Sequence, residues 1–117
     1  MIKLKRIYEP PGADDGFRIL VERLWPRGFT RERAHIDLWL KDIAPSPALR
    51  TWYAHDVARW DEFVRRYQAE LRVNPLLGDL RAILLEHPVV TFLFAARDLE
   101  HNSAQVLKAS LEQKTSA

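Results

Sequence analysis

A chain of 117 residues, 47% of them apolar, with a formal net charge of +2, has the size and composition of one globular domain with its own core. It contains no cysteine, which excludes disulfides, thiolate catalysis and cysteine-ligated zinc and is typical of a reducing compartment. The longest apolar run, residues 89–96, is far shorter than the roughly 20 residues of a membrane-spanning helix, and residues 1–5 lack the apolar segment of a signal peptide. We therefore expect one cytoplasmic domain over residues 1–117, with no membrane contact.

Two strands joined by a loop are predicted at the start of the chain. Residues 3–8 alternate in polarity and are rich in residues that favour strands, and residues 17–24 contain an apolar triplet at 19–21. Residues 9–16 include two prolines, two glycines and two aspartates, which is typical of a loop. Because this loop is too short for a helical crossover, we expect the two strands to be antiparallel or not to be neighbours.

The next segment is predicted to contain a helical turn, a third strand and a short helix. Thr30 can cap a turn that runs through Ala34. Residues 35–41 have apolar side chains at every second position, which predicts a third strand. Ser46 is a cap residue followed by a proline at the first helical position, so a short helix is predicted over Pro47–Tyr53.

Two longer helices are predicted in the middle of the chain. Asp56 is placed to cap the first, whose apolar side chains recur at helical spacing. These side chains are Trp60, Phe63, Val64, Tyr67 and Leu71. Asn74 and Pro75 repeat the combination of a cap and a proline, and the second helix is predicted to end before Pro88. Its apolar face is formed by Leu76, Leu77, Leu80, Ile83 and Leu84.

The chain is predicted to end with a buried strand and a helix. Residues 89–94 are continuously apolar, as in a central strand that is covered on both faces. Asn102 or Ser103 is expected to cap a last helix through Leu111, and residues 113–117 are expected to fray. This order of elements predicts a single α/β domain, in which a partly parallel sheet of about four strands is covered by about four helices.

Two polar loops that bear arginine, 23–28 and 97–102, follow the second and the last predicted strands. Ligands of open α/β sheets bind at the carboxyl ends of strands, so both loops occupy the position of a binding site. If these two strands are parallel, the loops lie at the same edge of the sheet. Clustered arginine side chains coordinate phosphate or carboxylate groups, so a small anionic molecule is the expected ligand. The alternative is a basic turn that is simply solvated.

The loop after the last strand contains the candidates for proton transfer. Arg97 contributes a fixed charge near a helix start, where unpaired N–H groups and the helix dipole attract anions. His101 is the only side chain of the loop suited to exchange a proton near neutral pH, and Asp98 or Glu100 could orient it. These residues predict general acid–base catalysis by His101 with Asp98. Alternatively, Asp98 pairs with an arginine, His101 packs on the helix and Asn102 only caps it.

The loop after the second strand contains the candidates for ligand binding. Its proline and its glycine are expected to make the backbone of the loop rigid. Trp25, between Arg23 and Arg27, can stack on a planar ligand or form cation–π contacts. Equally, Trp25 can belong to the core, and Arg23 can pair with Glu22 or Asp42. Arg27 has fewer structural reasons to be at the tip of a loop and is the stronger candidate of the two arginines.

Other chemistry has weaker signals. His55 beside Asp56 could be an oriented base, although a packed histidine and a capping aspartate explain this pair more simply. Asp98 and His101 are too few ligands for zinc, so we expect no metal site. The chain lacks a glycine-rich phosphate loop, a serine elbow and a dinucleotide fingerprint, so we expect no cofactor. Nucleic-acid binding has only the small cluster of four arginines between Arg23 and Arg33 in its favour.

Four segments of the chain carry a resemblance to a known family. Residues 15–28 read DGFRILVERLWPRG, residues 37–46 read DLWLKDIAPS, and residues 52–63 and 95–102 read WYAHDVARWDEF and AARDLEHN. In these segments, and over nearly its whole length, the chain resembles the YeaO-like group of the domain of unknown function family 488. The resemblance implies a small bacterial or archaeal α/β protein of uncharacterised function.

Two positions depart from the pattern of that family. Glu22 stands where the family commonly has aspartate, and Ser103 stands where it commonly has histidine. The second change removes a candidate base, so the resemblance does not extend to a mechanism with two histidines. Broader relatives have a cysteine near the end of the last strand, and this chain has none.

The family motifs coincide with the two polar loops, and the leading hypothesis combines the loops into one site. In it, Arg23, Arg27 and Arg97 neutralise a bound anion, and His101 with Asp98 transfers protons. Whether a reaction takes place is left open. One rival is a non-catalytic domain that uses the same edge to bind nucleic acid or a protein. The other is a scaffold whose motif residues only form a buried salt-bridge network.

Overall fold

The computed structural model describes residues 1–112, and the predicted fraying of residues 113–117 lies outside the described residues. In chain order the elements are β1 (Ile2–Arg6), β2 (Phe17–Leu20), α1 (Arg31–Ala34), β3 (Leu38–Trp39), α2 (Pro47–Tyr53), α3 (Trp60–Arg72), α4 (Leu76–Glu86), β4 (Val90–Phe94) and α5 (Ser103–Glu112). Two turns of 3-10 helix, Lys41–Ile43 and Val57–Arg59, precede α2 and α3. Within residues 1–112, no helix is long and apolar enough to cross a membrane.

The strands of the described residues form one sheet in the order β1-β4-β2-β3, and every pairing in it is parallel. The α/β class predicted from the sequence is confirmed, although the sheet is parallel throughout and not only in part. β4 lies between β1 and β2, so the first two strands are not neighbours, and the antiparallel alternative is wrong. Residues 7–16 connect them without a helix, because an extended chain that advances about 3.3 Å per residue can return along the sheet.

Two of the predicted capping residues, Ser46 and Asn102, begin their helices, whereas Asp56 caps the 3-10 turn Val57–Arg59 and α3 starts without a side-chain cap among the described residues. Ser46 Oγ accepts a hydrogen bond from the backbone N–H of Leu49 at 3.2 Å, directly before the proline that opens α2. Asn102 Oδ1 accepts one from the N–H of Gln105 at 3.0 Å, at the start of α5. Each cap satisfies a backbone donor that has no partner inside its helix.

Two strands are shorter than predicted. β2 ends at Leu20 instead of residue 24, and β3 has two residues instead of the predicted 35–41. His35 adopts a left-handed backbone conformation with φ 49° and ends α1, while residues 41–43 turn into a 3-10 helix. The alternation of apolar side chains therefore continues beyond the residues that can pair, because the partner strand β2 itself ends at Leu20.

The two faces of the sheet are covered differently. On one face, here called the helical face, a large core unites the strands with α2, α3, α4 and α5, and it includes Ile19, Phe92 and Tyr67. On the other, here called the loop face, a smaller core around Leu20 and Leu93 is covered by side chains of the segment that contains α1. Every residue of β4 is buried, as the sequence predicted for a central strand.

A buried ion pair fixes the loop before β2 to the loop face. Asp15 and Arg18 are each 4% exposed and pair directly, and Lys5 lies 3.1 Å from the same carboxylate. The guanidinium of Arg18 also donates to the backbone carbonyls of Ala34 and His35, both at 2.9 Å. This network ties the loop of residues 9–16 and the end of α1 to β2.

Candidate functional site

The carboxyl ends of β2 and β4 meet at one edge of the sheet, because these strands are parallel neighbours. Glu22, which follows β2, accepts a hydrogen bond from the backbone N–H of Ala95, which follows β4, at 3.2 Å. The polar loops 23–28 and 97–102 continue from these two points. The condition under which the sequence predicted a shared edge is therefore met.

A pocket of about 220 Å³ opens at this edge, on the helical face. It lies between the ends of β2 and β4, the last turn of α2 and the start of α5. Its polar lining consists of Glu22, Arg23, Arg50, Tyr53, His55, His101, Asn102 and Ser103. Its apolar lining consists of Ala44, Pro45, Phe63, Ala95 and Ala96. This volume is below the roughly 300–1,000 Å³ of sites for drug-sized ligands, so the pocket suits only a small molecule, and its mixed lining suits one with both a charged and an apolar part.

The segment before α5 is held by Asp98. Its Oδ1 accepts hydrogen bonds from the backbone N–H groups of Glu100 and His101, both at 2.9 Å, and these bonds hold the pKa of Asp98 below its usual range. Its Oδ2 lies 2.9 Å from His101 Nδ1. The predicted pairing of Asp98 with His101 is thus present, and it uses the Nδ1 atom of the imidazole ring and not Nε2. Catalysis by this pair stays a prediction.

Asn102 is buried, and both ends of its side chain amide are used. Besides capping α5, it donates through Nδ2 to the backbone carbonyl of Asp98 at 2.9 Å. Its side chain therefore fixes the turn that presents the start of α5 to the pocket. The structure assigns Asn102 this structural role, and a contact with a ligand stays a prediction.

The hydroxyl of Tyr53 is the unusual polar group of the pocket. Tyr53 ends α2, is 6% exposed and stacks on Phe63 with ring centroids 4.4 Å apart. Its hydroxyl has no hydrogen-bond partner among the described residues. Burial raises the pKa of Tyr53, and the negative charges of Asp98 and Asp56 raise it further, so this hydroxyl keeps its proton. It is a donor without an acceptor, which buried hydroxyls rarely are.

Glu22 places a carboxyl in the same pocket. Burial raises the pKa of Glu22, while the N–H of Ala95 and the charges of Arg50 and His55 act in the opposite direction. The net effect is a carboxyl that accepts a proton more readily than an exposed glutamate does. The pocket therefore contains one titratable acid among several cationic or donor groups.

Arg23 is largely occupied by structural contacts. Its guanidinium pairs with Asp42 at 3.2 Å and donates to the backbone carbonyls of Ala44 and Pro45, also at 3.2 Å. The alternative in which Arg23 pairs with Asp42 is confirmed. The side chain still lines the pocket, so its charge acts on whatever binds there.

The other residues predicted for the site lie apart from the pocket. Trp25 packs on the loop face, 5.2 Å from Trp39 by ring centroids, and donates through Nε1 to the carbonyl of Phe29 at 2.7 Å. Arg27 and Arg97 are exposed and are not part of the pocket lining. Trp25 turns to the opposite face because β2 ends early and the chain bends away at the following loop.

The secondary pair, His55 and Asp56, is divided between two roles. His55 has a left-handed backbone with φ 58° and lines the pocket, 6.2 Å from the ring of Tyr53. Asp56 caps the following 3-10 turn by accepting from the N–H of Ala58 at 3.1 Å, and it pairs with Arg59. Asp56 is therefore a capping residue, as the simpler interpretation predicted, and His55 lines the pocket.

Sequence reasoning did not select Arg50 or Tyr53, nor Glu22 as a pocket residue. Tyr53 is an aromatic residue of a short helix, which predicts a core side chain. Only its position as the last residue of α2 indicates that it could line a pocket. Within the described residues, no three histidine, aspartate or glutamate side chains come together as a metal site.

The chain has clear sequence relatives. The family model DUF488-N3i, described as the inactive DUF488-N3 subclade, matches residues 1–117. The uncharacterized protein Rv3073c of Mycobacterium tuberculosis (strain ATCC 25618 / H37Rv) is 42% identical over 106 residues, which are 91% of this chain and 89% of that protein. The uncharacterized protein YeaO of Escherichia coli (strain K12) is 38% identical over 106 residues, 91% of this chain and 92% of that protein. No solved structure gives a significant match.

Proposed function

The chain belongs to the DUF488 family, in the subclade described as inactive, and we propose that it binds a small anionic molecule in the pocket at the start of α5. The ligand carries a phosphate or a carboxylate group and a short apolar part. The description of the subclade favours binding without turnover. A cytoplasmic location is part of the same proposal, because a chain without cysteine forms no disulfides and suits a reducing compartment.

The observation that carries this proposal is the hydroxyl of Tyr53, which has no hydrogen-bond partner in the part of the chain that the structure describes. Leaving a buried donor without an acceptor costs about 1–3 kcal/mol. Because this hydroxyl has almost no accessible surface, a ligand oxygen recovers that cost when the pocket lining shifts to admit it. The start of α5 adds backbone N–H groups and the positive end of a helix dipole. Arg23 and Arg50 add two fixed positive charges in the lining. All of these groups favour an oxygen-bearing anion.

Glu22 makes binding of this anion dependent on pH. A carboxylate beside an anion is repelled, whereas a protonated carboxyl can donate a hydrogen bond to it. Burial already raises the pKa of Glu22, and a bound anion raises it further. The anion therefore binds together with a proton, and its affinity increases as the pH falls towards the raised pKa of Glu22.

A second candidate function is general acid–base catalysis by His101. The observation in its favour is the 2.9 Å contact between His101 Nδ1 and Asp98 Oδ2, which orients the ring beside the pocket. If this candidate is correct, an anion found to bind is slowly converted by the wild type, and His101→Ala still binds it but converts none. Tight binding with no conversion by the wild type removes this candidate and leaves the binding protein.

The test is a thermal-shift screen with inorganic phosphate, sugar phosphates, nucleotides and short carboxylic acids. A ligand at about 100 times its Kd stabilises the folded protein by about 2.7 kcal/mol, which is a clear shift in Tm. We expect stabilisation of the wild type that is lost in Tyr53→Phe and in Arg50→Ala. Arg97→Ala is the matched control, because it removes an exposed arginine outside the pocket lining.

Two outcomes contradict the proposal. One is the absence of any shift with the whole set of anions. The other is a shift that survives in Tyr53→Phe and Arg50→Ala but disappears in Arg97→Ala, which moves the site to the exposed rim of loop 97–102. Both pocket substitutions leave the core in place, because the ring of Tyr53 is retained and Arg50 is exposed.

A further inference from the structure

Four aromatic rings form a continuous surface on the loop face, away from the pocket. Tyr8 and Phe29 are in edge contact at 5.4 Å between ring centroids, and Trp25 and Trp39 are in edge contact at 5.2 Å. The hydrogen bond from Trp25 Nε1 to the carbonyl of Phe29 joins the two pairs. Tyr8 is 46% exposed and the other three rings are half-buried, so each keeps a part of its surface in solvent. We call these four rings the aromatic surface.

A positive charge lies over each ring of the aromatic surface. Arg6 lies 5.0 Å from the centroid of Tyr8, and Arg33 lies 5.4 Å from that of Phe29. On the second pair, Arg31 lies 5.8 Å from Trp25, and Lys41 lies 5.6 Å from Trp39. Within residues 1–112, none of these four cations has a carboxylate within 4.0 Å.

Negative charge is also present near the aromatic surface. Glu9 is close to Arg6 and accepts a hydrogen bond from its backbone N–H at 2.8 Å. Glu32 is exposed on α1, between Arg31 and Arg33 in the sequence. Two further exposed carboxylates, Asp37 and Asp42, flank Trp39 and Lys41 in the sequence. Asp37 accepts from the backbone N–H of Arg18 and Asp42 pairs with Arg23, so neither is paired with the cations over the rings.

We propose that the aromatic surface binds single-stranded nucleic acid, with bases stacked on the rings and backbone phosphates paired with the surrounding cations. Such binding has two components: aromatic rings on which the bases stack, and arginine or lysine side chains that pair with the phosphates. Both components accept any base sequence. A double helix hides the faces of its bases from these rings. An acidic peptide would use the cations but would leave the rings without a matching partner.

The cations over the rings are compatible with this role. A cation–π contact at an exposed site contributes less than a stacked base does, so an arginine can leave the ring for a phosphate when a base arrives. Arg31, Arg33 and Lys41 are all exposed, and of these three side chains only that of Arg33 is held by a hydrogen bond within residues 1–112, to the carbonyl of Gly28 at 3.3 Å. Arg6 differs, because it donates to the backbone carbonyls of Ala95 and Ala96 and remains a fixed charge beside Tyr8.

The experiment is fluorescence anisotropy with labelled oligothymidylate and oligouridylate of about 20 nucleotides, longer than the roughly 4–16 nucleotides that a small domain covers. We expect binding that weakens steeply between about 50 and about 200 mM salt. Tyr8→Ala is expected to weaken it about fivefold or more, whereas Tyr8→Phe retains the ring and the affinity. Arg31→Ala is expected to lower the slope of log K against log salt by about 0.7, the value for one phosphate contact on a single strand.

Arg81→Ala is the matched control for charge. Arg81 is exposed on α4, which packs on the helical face, and its loss changes the net charge by the same amount as the loss of Arg31. The proposal is overturned if neither oligonucleotide binds, or if Arg81→Ala weakens binding as much as Arg31→Ala does. It is also overturned if polyphosphate of matched charge, or an acidic peptide, competes as well as the oligonucleotides do, because the rings would then contribute nothing. Because Tyr8 and Arg31 are exposed, thermal melting of each variant should match that of the wild type.

Discussion

Glu22 Oε1 lies 3.2 Å from the backbone nitrogen of Ala95, so the residues that follow β2 and β4 are hydrogen-bonded to each other. The bond satisfies the N–H of Ala95, the first residue after β4. This N–H has no partner in the sheet, because the neighbouring strand β2 has already ended. The same carboxyl lines the pocket, and burial raises its pKa. The side chain of Glu22 thus links the ends of β2 and β4, and its protonation state changes the charge of the candidate site.

Glu22→Gln is expected to stabilise the protein at neutral pH. The amide oxygen can still accept from Ala95, and the cost of burying a charge disappears. Because the folded state raises the pKa of Glu22, the wild type is less stable above the folded pKa, and the gain from the substitution vanishes below the unfolded pKa. The measurement is urea denaturation between about pH 4 and about pH 8.

Glu32→Gln is the control for this pH dependence, because it removes an exposed carboxylate on α1. Its stability should follow that of the wild type at every pH. Equal pH profiles for the wild type and Glu22→Gln would contradict the raised pKa of Glu22.

Tyr53→Phe and Tyr67→Phe remove the same atom from two buried tyrosines, but only the second substitution is expected to destabilise the protein. Tyr67 donates to the carbonyl of Ile43 at 2.6 Å, so its loss leaves a buried acceptor and costs about 1–3 kcal/mol. The hydroxyl of Tyr53 has no partner within residues 1–112, so its loss is neutral or stabilises by about 1 kcal/mol. Chemical denaturation without added anions measures both. A cost above about 1 kcal/mol for Tyr53→Phe would reveal a partner for its hydroxyl.

Helices were the most predictable part of the fold, since their signals are local. The cap at Ser46 and the cap at Asn102 need only the residues of their own turn, and both helices begin where the sequence predicted. Strand ends depend on the partner strand, which is far away in the sequence. Residues 35–41 alternate correctly but pair over two residues, because their partner β2 ends at Leu20. The all-parallel order could not be predicted, since β4 inserts between the first two strands from the far end of the chain.

The candidate site was predictable in its position but only partly in its members. The rule that ligands bind at the carboxyl ends of parallel strands located the edge, and the Asp98–His101 contact follows from a spacing of three residues. No local sequence rule predicts the direction in which a side chain points once its strand has ended. Trp25 therefore lies on the opposite face, while Tyr53, which has the pattern of a core residue, lines the pocket and has a buried hydroxyl without a partner in residues 1–112.

Asp15→Asn is expected to destabilise the protein by about 3–5 kcal/mol, because it leaves the buried Arg18 and the adjacent Lys5 without their counter-charge. Burial acts to raise the pKa of Asp15, but hydrogen bonds from Gly12, Lys5 and Arg18 outweigh it and hold this pKa below its usual value. The stabilisation is therefore present at neutral pH and is lost as the pH falls below about 4. Guanidinium denaturation at pH 7 and in acid measures both effects.

The neighbouring Asp14→Asn is the control for this ion pair. Asp14 pairs with Lys3 at 3.2 Å, but its side chain is 87% exposed and the pair is screened by solvent, so its loss is expected to destabilise the protein far less than the loss of Asp15. Equal costs for the two substitutions would mean that the Asp15–Arg18 pair contributes no more than a surface pair does.

Gly16→Ala is expected to destabilise the protein by about 2–5 kcal/mol, for two independent reasons. Gly16 has φ +66°, in the left-handed region that disfavours a Cβ, and a Cβ added there would lie 2.1 Å from the backbone oxygen of Val89. That oxygen accepts the hydrogen bond from Phe17 N–H at 2.9 Å that opens the pairing of β2 with β4. The added methyl group must therefore push apart the two strands whose far ends carry the pocket.

Gly78→Ala separates this effect from that of glycine substitution in general. Gly78 lies inside α4 with no heavy atom within 4 Å of an added Cβ, so alanine is expected to stabilise by about 0.5–1 kcal/mol. Urea denaturation of both variants gives the comparison directly. If Gly16→Ala were tolerated as well as Gly78→Ala, Val89 could not lie as close to Gly16 as the parallel register of β2 and β4 requires.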